Sequence, residues 1–154
     1  VYKIINMDDI KNNYDKVGLF LPTCPFRNAK HIIDAVKLLK PDDYSVVSVT
    51  EMNDPVQLCV SINQNNIIDS NMFFNPSPLV TGNTRSQDFQ IYYRVNGGIY
   101  FGWINKLLAK ENFFQGKVRA YVMDRLDSID IDNKLDFEWA EYLIKNEYVK
   151  IGEE

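Results

Sequence analysis

The fold is decided by residues 16–49, which read KVGLFLPTCPFRNAKHIIDAVKLLKPDDYSVVSV. The apolar run at 16–21 predicts a buried strand. Asn28 is typical of a helix N-cap, and Pro41 stops the helix that follows it. That helix carries on one face Ile32, Ile33, Val36 and Leu39. The β-branched run at 44–49 predicts a second strand, so the stretch indicates a βαβ unit with parallel strands in a sheet covered by helices.

The remaining pattern predicts one α/β domain, residues 1–154, with an irregular insertion at 51–84. Further strands are predicted at 56–62, 67–68, 99–101 and 118–123, and helices at 1–13, 104–108 and 134–147. Asn96-Gly97-Gly98 predicts a break in the chain before the strand at 99–101. The insertion carries Met72, Phe73 and Phe74. These side chains require burial, either in the core of the subunit or in a dimer contact.

Composition and charge limit the classes of function. A 154-residue chain with 45% hydrophobic and 25% charged residues is typical of a soluble globular domain. A net charge of −4 without a basic block argues against nucleic-acid binding. No apolar run approaches the roughly 20 residues that span a bilayer, and residues 1–9 do not read as a signal peptide, so no membrane partner is expected. Cys24 and Cys59 match neither a disulfide framework nor a metal motif, which indicates a cytoplasmic location. His31 is the only histidine, which excludes a His-based triad.

Asp130 and Asp132 have two interpretations. In an extended segment both would project to one side, while Ile129 and Ile131 turn toward a core. Two convergent carboxylates suit Mg²⁺, which completes its octahedron with water and substrate phosphate. The alternative is an acidic helix start, because Asp and Asn cap helix N-termini and a helical apolar stripe follows. An EF-hand loop is excluded because the glycine that it requires is absent.

Four segments together resemble the acylneuraminate cytidylyltransferase family, the CMP-N-acetylneuraminic acid synthetases. They are Leu21-Pro-Thr-Cys-Pro-Phe-Arg27, Val46-Val-Ser-Val-Thr-Glu51, Arg85-Ser-Gln-Asp88 through Asn96-Gly-Gly-Ile-Tyr100, and Ser128-Ile-Asp-Ile-Asp132. The family reads approximately Gln-Pro-Thr-Ser-Pro-Leu-Arg, Val-Val-Ser-Val-Thr, Arg-Arg-Gln-Asp with Pro-Asn-Gly-Ala-Ile-Tyr, and Ser-Ile-Asp-Ile-Asp. Each segment alone is a weak match. Their common order and compatible spacing make the resemblance specific over nearly the whole chain.

The resemblance implies a Rossmann-like nucleotide-diphospho-sugar transferase fold, with three layers and a mostly parallel sheet. It implies an enzyme that joins CTP to a nine-carbon sugar acid and releases pyrophosphate, with 51–84 as the dimerisation segment of a homodimer. Asp130 and Asp132 are implied as catalytic residues that hold the cofactor, Mg²⁺. The implied substrate-binding residues are Arg85, Gln87, Asn96, Gly97, Tyr100, Phe113 and Phe114. The implied nucleotide-binding residues are Pro22, Thr23 and Arg27.

The chain also departs from the family pattern. Nothing in it matches the N-terminal Ala-Arg-x-Gly-Ser-Lys loop that cradles the triphosphate in the family, so we expect an N-terminally truncated form of the fold. Leu21, Gln57 and Ser86 stand where the family has Gln, Lys and Arg. Two hypotheses follow. The chain represents a CMP-sugar acid synthetase, or it is a non-catalytic truncated or degenerate homologue that acts as a dimeric scaffold.

Overall fold

The computed structural model describes residues 1–68 and 74–150. The helices are α1 (Tyr2–Ile5), α2 (Asp8–Asn13), α3 (Ala29–Leu38), α4 (Pro78–Thr81), α5 (Ile104–Lys110) and α6 (Lys134–Lys145). The strands are β1 (Lys16–Leu19), β2 (Ser45–Glu51), β3 (Tyr93–Trp103) and β4 (Val118–Val122). Short 3₁₀ turns occur at Val56–Leu58, Ser86–Asp88 and Leu126–Ser128. Within these described ranges no helix is long and apolar enough to cross a membrane.

The strands form one sheet in the order β1-β3-β2-β4. β2 and β4 are parallel, with Ser45 opposite Val118. β1 and β3 are antiparallel, with Lys16 opposite Trp103. The predicted α/β class is confirmed. The sheet is mixed because it contains a parallel and an antiparallel pair, and β3 lies between β1 and β2, the two strands of the predicted βαβ unit. Sequence spacing does not reveal such an insertion, since it depends on a pairing between distant segments.

A hydrophobic cluster packs on each face of the sheet. Val46 and Val47 are neighbours on β2, and successive strand residues point to opposite faces. Val47 packs in a first cluster with Ile5, Tyr44, Ile104, Leu107 and Phe113. Val46 packs in a second cluster with Ala35, Leu39, Ile99 and Met123. Ile33 was predicted on the apolar face of α3, but it is 52% exposed. The face of α3 that packs on the second cluster instead carries the fully buried Ala35 and the partly buried Ile32.

Two other local predictions were wrong. The strand β3 runs without interruption through Asn96-Gly97-Gly98, because Gly97 adopts a φ of +75° inside the strand instead of ending it. The predicted helix at 1–13 is two short helices, α1 and α2.

The chain divides into two compact units, one formed by Val1–Thr50 with Val95–Glu154 and the other by Glu51–Arg94. In the second unit the strand predicted at 56–62 was wrong, because Val56–Leu58 forms a 3₁₀ turn after Pro55. Ile68 makes only an isolated bridge, to Ile62. The ring of Phe74 contacts that of Tyr92, with centroids 5.8 Å apart. Met72 and Phe73 lie outside the described residues.

Asp43, two residues before the start of β2, is a fully buried charge held by cations. Its carboxylate accepts hydrogen bonds from the backbone N–H of Lys40 at 2.8 Å and from Arg119, and the Lys117 Nζ atom lies 3.3 Å away. Burial opposes ionisation, but these partners outweigh it and lower the pKa of Asp43 from 3.8 to about 2. The carboxylate therefore stabilises the fold fully above its unfolded pKa of 3.8, and this contribution is lost as the pH falls through about 2.

We expect Asp43→Asn to lower the Tm at neutral pH and to remove part of the loss of stability between about pH 4 and pH 2. The reason is that the variant lacks the carboxylate whose protonation uncouples Arg119 and Lys117. Thermal unfolding followed by circular dichroism across this pH range measures both effects. Asp42→Asn is the control, because Asp42 also contacts Lys117 but is 68% exposed. Equal losses of Tm in the two variants would contradict the role of Asp43.

Candidate functional site

The segment before α6 places the predicted aspartate pair. Ser128 ends the 3₁₀ turn Leu126–Ser128, and the chain then continues extended through Ile129. Ile129 and Ile131 pack against a third core cluster formed by Phe26, Ala140, Leu143 and Val149. The backbone N–H of Ile131 donates to the carbonyl of Thr23 at 2.9 Å. The predicted inward direction of the two isoleucines is therefore confirmed, and it fixes the segment beside the 21–27 loop.

Asp130 is partly buried, and its Oδ1 atom is fully buried without a hydrogen-bond partner among the described residues. The carboxylate lies within electrostatic range of the Tyr100 hydroxyl. Burial raises the pKa of the Tyr100 phenol, and the negative charge of Asp130 raises that pKa further. Asp132 is exposed, and its backbone N–H donates to the Asp136 carboxylate at 3.0 Å. The two aspartates therefore differ, since one is set into the protein and the other faces water.

The donor set fits a magnesium ion. A buried carboxylate oxygen without a partner costs free energy unless a cation or a donor completes it. Mg²⁺ typically takes one or two carboxylates and keeps water or substrate phosphate on its other positions. Within the described ranges no group of three or more His, Cys, Asp or Glu side chains could hold a metal. The ligands that we predict are the two carboxylates of Asp130 and Asp132. Metal binding at this pair stays a prediction.

The helix-start interpretation applies to the next residues instead. Asn133 is the N-cap of α6, and its side chain accepts hydrogen bonds from the backbone N–H groups of Leu135 and Asp136. The Asp136 carboxylate returns a bond to the backbone N–H of Asn133, which completes a capping box. Asp130 and Asp132 precede this cap, so the helix end does not account for the Asp130 carboxylate.

Three predicted aromatic residues lie together near Asp130. The Tyr100 ring centroid is 5.5 Å from that of Phe113 and 6.2 Å from that of Phe114. Phe113 is 5% exposed and belongs to the first core cluster, whereas Phe114 is 54% exposed. Phe114 and Tyr100 are therefore the aromatic residues here that a ligand can reach from solvent.

The loop with the predicted nucleotide-binding residues is tied to β3. The Arg27 Nη1 atom donates to the carbonyls of Leu21 and Gly98, both at 2.9 Å. The Arg27 guanidinium also lies 5.3 Å from the centroid of the Phe20 ring. Arg27 thus holds the loop in place. Pro22 is exposed and Thr23 is partly buried, and nucleotide contacts by these three residues stay predictions.

Asn96 and Gly97 lie in β3 beside the same loop. Asn96 is 1% exposed, and its amide is engaged with Ser48, Gly98, Met123 and Ser128. A Cβ atom at Gly97 would lie 3.0 Å from the Leu21 Cδ1 atom, on a backbone with a positive φ. Both residues are built into the protein interior, so a direct contact of the Asn96 side chain with a sugar acid would require an internal bond to break.

Arg85 and Gln87 lie in the second unit, where both are exposed. Gln57, at one of the family's cationic positions, is 7% exposed in that unit, and its Nε2 atom donates to the Gln90 carbonyl at 2.8 Å. The predicted substrate role of Arg85 and Gln87 stays a prediction.

Sequence reasoning missed two residues of the site, Ser48 and Ser128. Both are fully buried, and both bond to Asn96. Each stands in a segment that carries the resemblance, Val46-Val-Ser-Val-Thr-Glu51 and Ser128-Ile-Asp-Ile-Asp132. That was the only signal available, because a serine inside an apolar strand or beside a turn does not reveal its partner in a distant element.

Comparison with known proteins gives a consistent set of relatives. No family model matches the chain. It is 34% identical over 133 residues to the N-acylneuraminate cytidylyltransferase of Escherichia coli O18:K1:H7, covering 85% of this chain and 30% of that protein. It is 29% identical over 140 residues to the CMP-N,N'-diacetyllegionaminic acid synthase of Legionella pneumophila, covering 86% and 55% of the two chains. The chain therefore spans between about a third and half of the length of these relatives.

A solved structure supports the fold. The crystal structure of 4-diphosphocytidyl-2C-methyl-D-erythritol synthase from Anaerococcus prevotii superposes with a TM-score of 0.58 at 13% identity. The match covers 93% of this chain and 63% of that one. At this identity the likeness shows the Rossmann-like α/β fold alone. Over 85% of its own length, the chain is a relative of the N-acylneuraminate cytidylyltransferases.

Proposed function

We propose that this chain forms part of a CMP-sugar acid synthetase, which transfers the CMP group of CTP to a nine-carbon sugar acid and releases pyrophosphate. The observation that carries the proposal is the Asp130 carboxylate. It has a buried oxygen without a hydrogen-bond partner among the described residues, and it lies beside Tyr100 in a chain related to cytidylyltransferases.

Each described residue has a chemical task in this reaction. A hydroxyl oxygen of the sugar acid bonds to the α-phosphorus of CTP, the bond from that phosphorus to the pyrophosphate oxygen breaks, and the hydroxyl proton is released to water. Asp130 and Asp132 would hold Mg²⁺, which would supply positive charge to neutralise the phosphate oxygens. Tyr100 is protonated at neutral pH, as its ordinary pKa of 10.0 already dictates, and the upward shift of that pKa keeps its hydroxyl a hydrogen-bond donor. Phe114 offers an exposed ring edge for the apolar parts of the sugar acid.

The test is release of pyrophosphate from CTP and Mg²⁺ by the purified protein with a panel of acceptors. The panel contains N-acetylneuraminic acid, N,N'-diacetyllegionaminic acid, pseudaminic acid and a neutral hexose as the control. We expect release with one or more of the sugar acids and none with the hexose. Failure with every sugar acid by a folded protein would overturn the proposal in favour of a non-catalytic scaffold.

We include a homodimer in the proposal. The second unit exposes several large apolar side chains, and exposed apolar surface is typical of protein contacts. Among its described residues these are Ile62, Ile67, Ile68, Leu79, Val80 and Ile91. We expect light scattering to give the mass of a dimer, and Val80→Asp to shift it toward the monomer. Ile4→Asp in the first unit is the control, at 59% exposure against 74% for Val80. A monomeric unmodified protein would contradict the dimer.

A cytoplasmic location is the last part of the proposal. Cys24 and Cys59 form no disulfide in the part of the chain that the structure describes. Cys24 is buried, with its Sγ atom 3.6 Å from the carbonyl oxygen of Asp127. Cysteines that are not joined in disulfides are typical of proteins in reducing compartments.

A further inference from the structure

A buried chain of hydrogen bonds connects the centre of the sheet to the segment that carries Asp130. In β2, the Ser48 hydroxyl donates to the Asn96 Oδ1 atom at 2.5 Å. The Asn96 Nδ2 atom in turn donates to the Ser128 Oγ atom at 2.8 Å. The Ser128 hydroxyl donates to the Asp124 carbonyl at 2.6 Å. The chain thus reaches from two neighbouring strands to a residue two positions before Asp130.

The hydrogen-bonding capacity of the Asn96 amide is filled inside the protein. Its Oδ1 atom accepts from the Ser48 hydroxyl and from the backbone N–H of Gly98 at 3.1 Å. Its Nδ2 atom donates to Ser128 and lies 3.4 Å from the Met123 Sδ atom. An amide has two donors and two acceptor positions, so none remains for a ligand. With a side chain that is 1% exposed, Asn96 is not placed to touch a substrate.

We infer that Asn96 is a positioning residue that acts through Ser128 to hold the Asp130 carboxylate in its partly buried place, and not a residue that contacts the sugar acid. The part of this inference that concerns turnover rests on the proposed function, whereas the part that concerns metal binding does not. The role differs from the substrate contact that the family resemblance implies for Asn96.

The environment of Asp130 is the reason that its segment must be anchored. The buried Oδ1 atom of Asp130 has no partner among the described residues, and a buried polar atom in that condition is stabilised by moving out to water. Anchoring of the segment limits how far the backbone of Asp130 can move in that direction. Ile129 and Ile131 anchor the side of the segment that faces the third core cluster, and the bond from Asn96 to Ser128 anchors its start. Without the latter bond, the carboxylate gains the freedom to leave the position that suits a cation.

The test compares Ser128→Ala with Ser48→Ala as a matched control. Both serines are fully buried, both bond to Asn96, and both lose the same hydroxyl, but only Ser128 lies in the Asp130 segment. Mn²⁺ serves as the probe, because carboxylate sites that suit Mg²⁺ also suit Mn²⁺. Its binding is followed by the paramagnetic broadening of the Asp130 and Asp132 amide signals in NMR spectra.

We expect both variants to have a lower Tm, with Mn²⁺ affinity falling about tenfold in Ser128→Ala and less than about twofold in Ser48→Ala. Asn96→Ala is expected to match Ser128→Ala, and the double variant to bind no more weakly than either single variant, because both remove the same bond. If Ser128→Ala does not fold, Ser128→Cys replaces it, since a thiol fills the space with a weaker donor. Unchanged Mn²⁺ affinity in a folded Ser128 variant, or equal losses in the Ser48 and Ser128 variants, would overturn the inference.

Steady-state kinetics distinguish a positioning role of Asn96 from a direct contact of Asn96 with the sugar acid. If Asn96 acts through Ser128, Asn96→Ala and Ser128→Ala both lower kcat and leave the KM for the sugar acid within about twofold. A raised KM in Asn96→Ala alone, with kcat unchanged, would show a direct contact and overturn the inference. Absence of turnover in the unmodified protein would count against the proposed function only, because the Mn²⁺ comparison still decides the role of Asn96. Absence of Mn²⁺ binding by the unmodified protein would overturn this inference.

Discussion

Asp130→Ala is expected to lower Mg²⁺-dependent release of pyrophosphate by at least roughly 10³-fold while leaving the Tm unchanged or raised. The loss of turnover follows from removal of the one predicted ligand that is set into the protein beside Tyr100. The effect on stability follows from the buried Oδ1 atom, which has no hydrogen-bond partner among the described residues. Removing an uncompensated buried polar group does not cost stability in the way that breaking a bond does.

Two measurements on the same preparation are needed, turnover with CTP and a sugar acid, and thermal unfolding without ligands. A variant that loses activity and keeps or gains Tm identifies a residue retained for function at the expense of stability. A large fall in Tm would instead mean that Asp130 supports the fold. Full turnover in Asp130→Ala would exclude the carboxylate from the metal site.

Asp136→Ala is the matched control, since it removes another carboxylate six residues away. Asp136 belongs to the capping box of α6 and accepts from the backbone N–H groups of Asp132 and Asn133 at 3.0 Å. Loss of such a cap costs about 1 kcal/mol. We therefore expect a lower Tm and a smaller change in turnover than for Asp130→Ala. The two variants should show opposite patterns, and the same pattern in both would contradict the separate roles.

Local signals in the sequence predicted the helices α3 and α6 and the strand β2 of the first unit. The Asn28 cap, the β-branched run of β2 and the apolar stripe of α6 each depend on residues a few positions apart. The position of β3 between β1 and β2 depends on pairing between segments about 80 residues apart, which no local pattern encodes. In the second unit, Pro55 begins a 3₁₀ turn where apolar residues indicated a strand. In that segment the turn after Pro55 determined the backbone conformation, although the apolar residues favoured a strand.

The features of the candidate site also fall into those that the sequence predicted and those that only the structure shows. The alternation of Ile129 and Ile131 predicted which way the segment faces, and the family resemblance supplied Asp130 and Tyr100. The burial of Asn96 and its bonds to Ser48 and Ser128 join three distant parts of the chain. Their geometry exists only in the folded protein. A polar residue in a segment that carries the family resemblance could equally face a ligand or the interior, and only the structure distinguishes these cases.

Phe113 and Phe114 are adjacent in sequence, but one is buried and the other is exposed. We expect their replacement by alanine to have opposite effects on stability and on substrate binding. Phe113 is 5% exposed, packs with Tyr44 and Leu107 in the first core cluster, and accepts a backbone hydrogen bond from the Ser45 hydroxyl at 2.5 Å. Phe113→Ala removes a buried ring and leaves a cavity, so we expect the free energy of unfolding to fall by about 3 to 5 kcal/mol.

Phe114→Ala is the natural partner of that variant, because Phe114 is 54% exposed and packs nearly perpendicular to the Tyr100 ring, with an interplanar angle of 82°. We expect its free energy of unfolding to change by less than about 0.5 kcal/mol. The KM for the sugar acid should rise by about tenfold, because the loss of a ring that contacts the ligand removes about 1.4 kcal/mol of binding. Chemical denaturation and steady-state kinetics on both variants measure the two effects, and Phe113→Leu replaces Phe113→Ala if the latter does not fold. If Phe114→Ala leaves the KM unchanged, the exposed ring does not contact the substrate, and the aromatic side of the proposed site reduces to Tyr100.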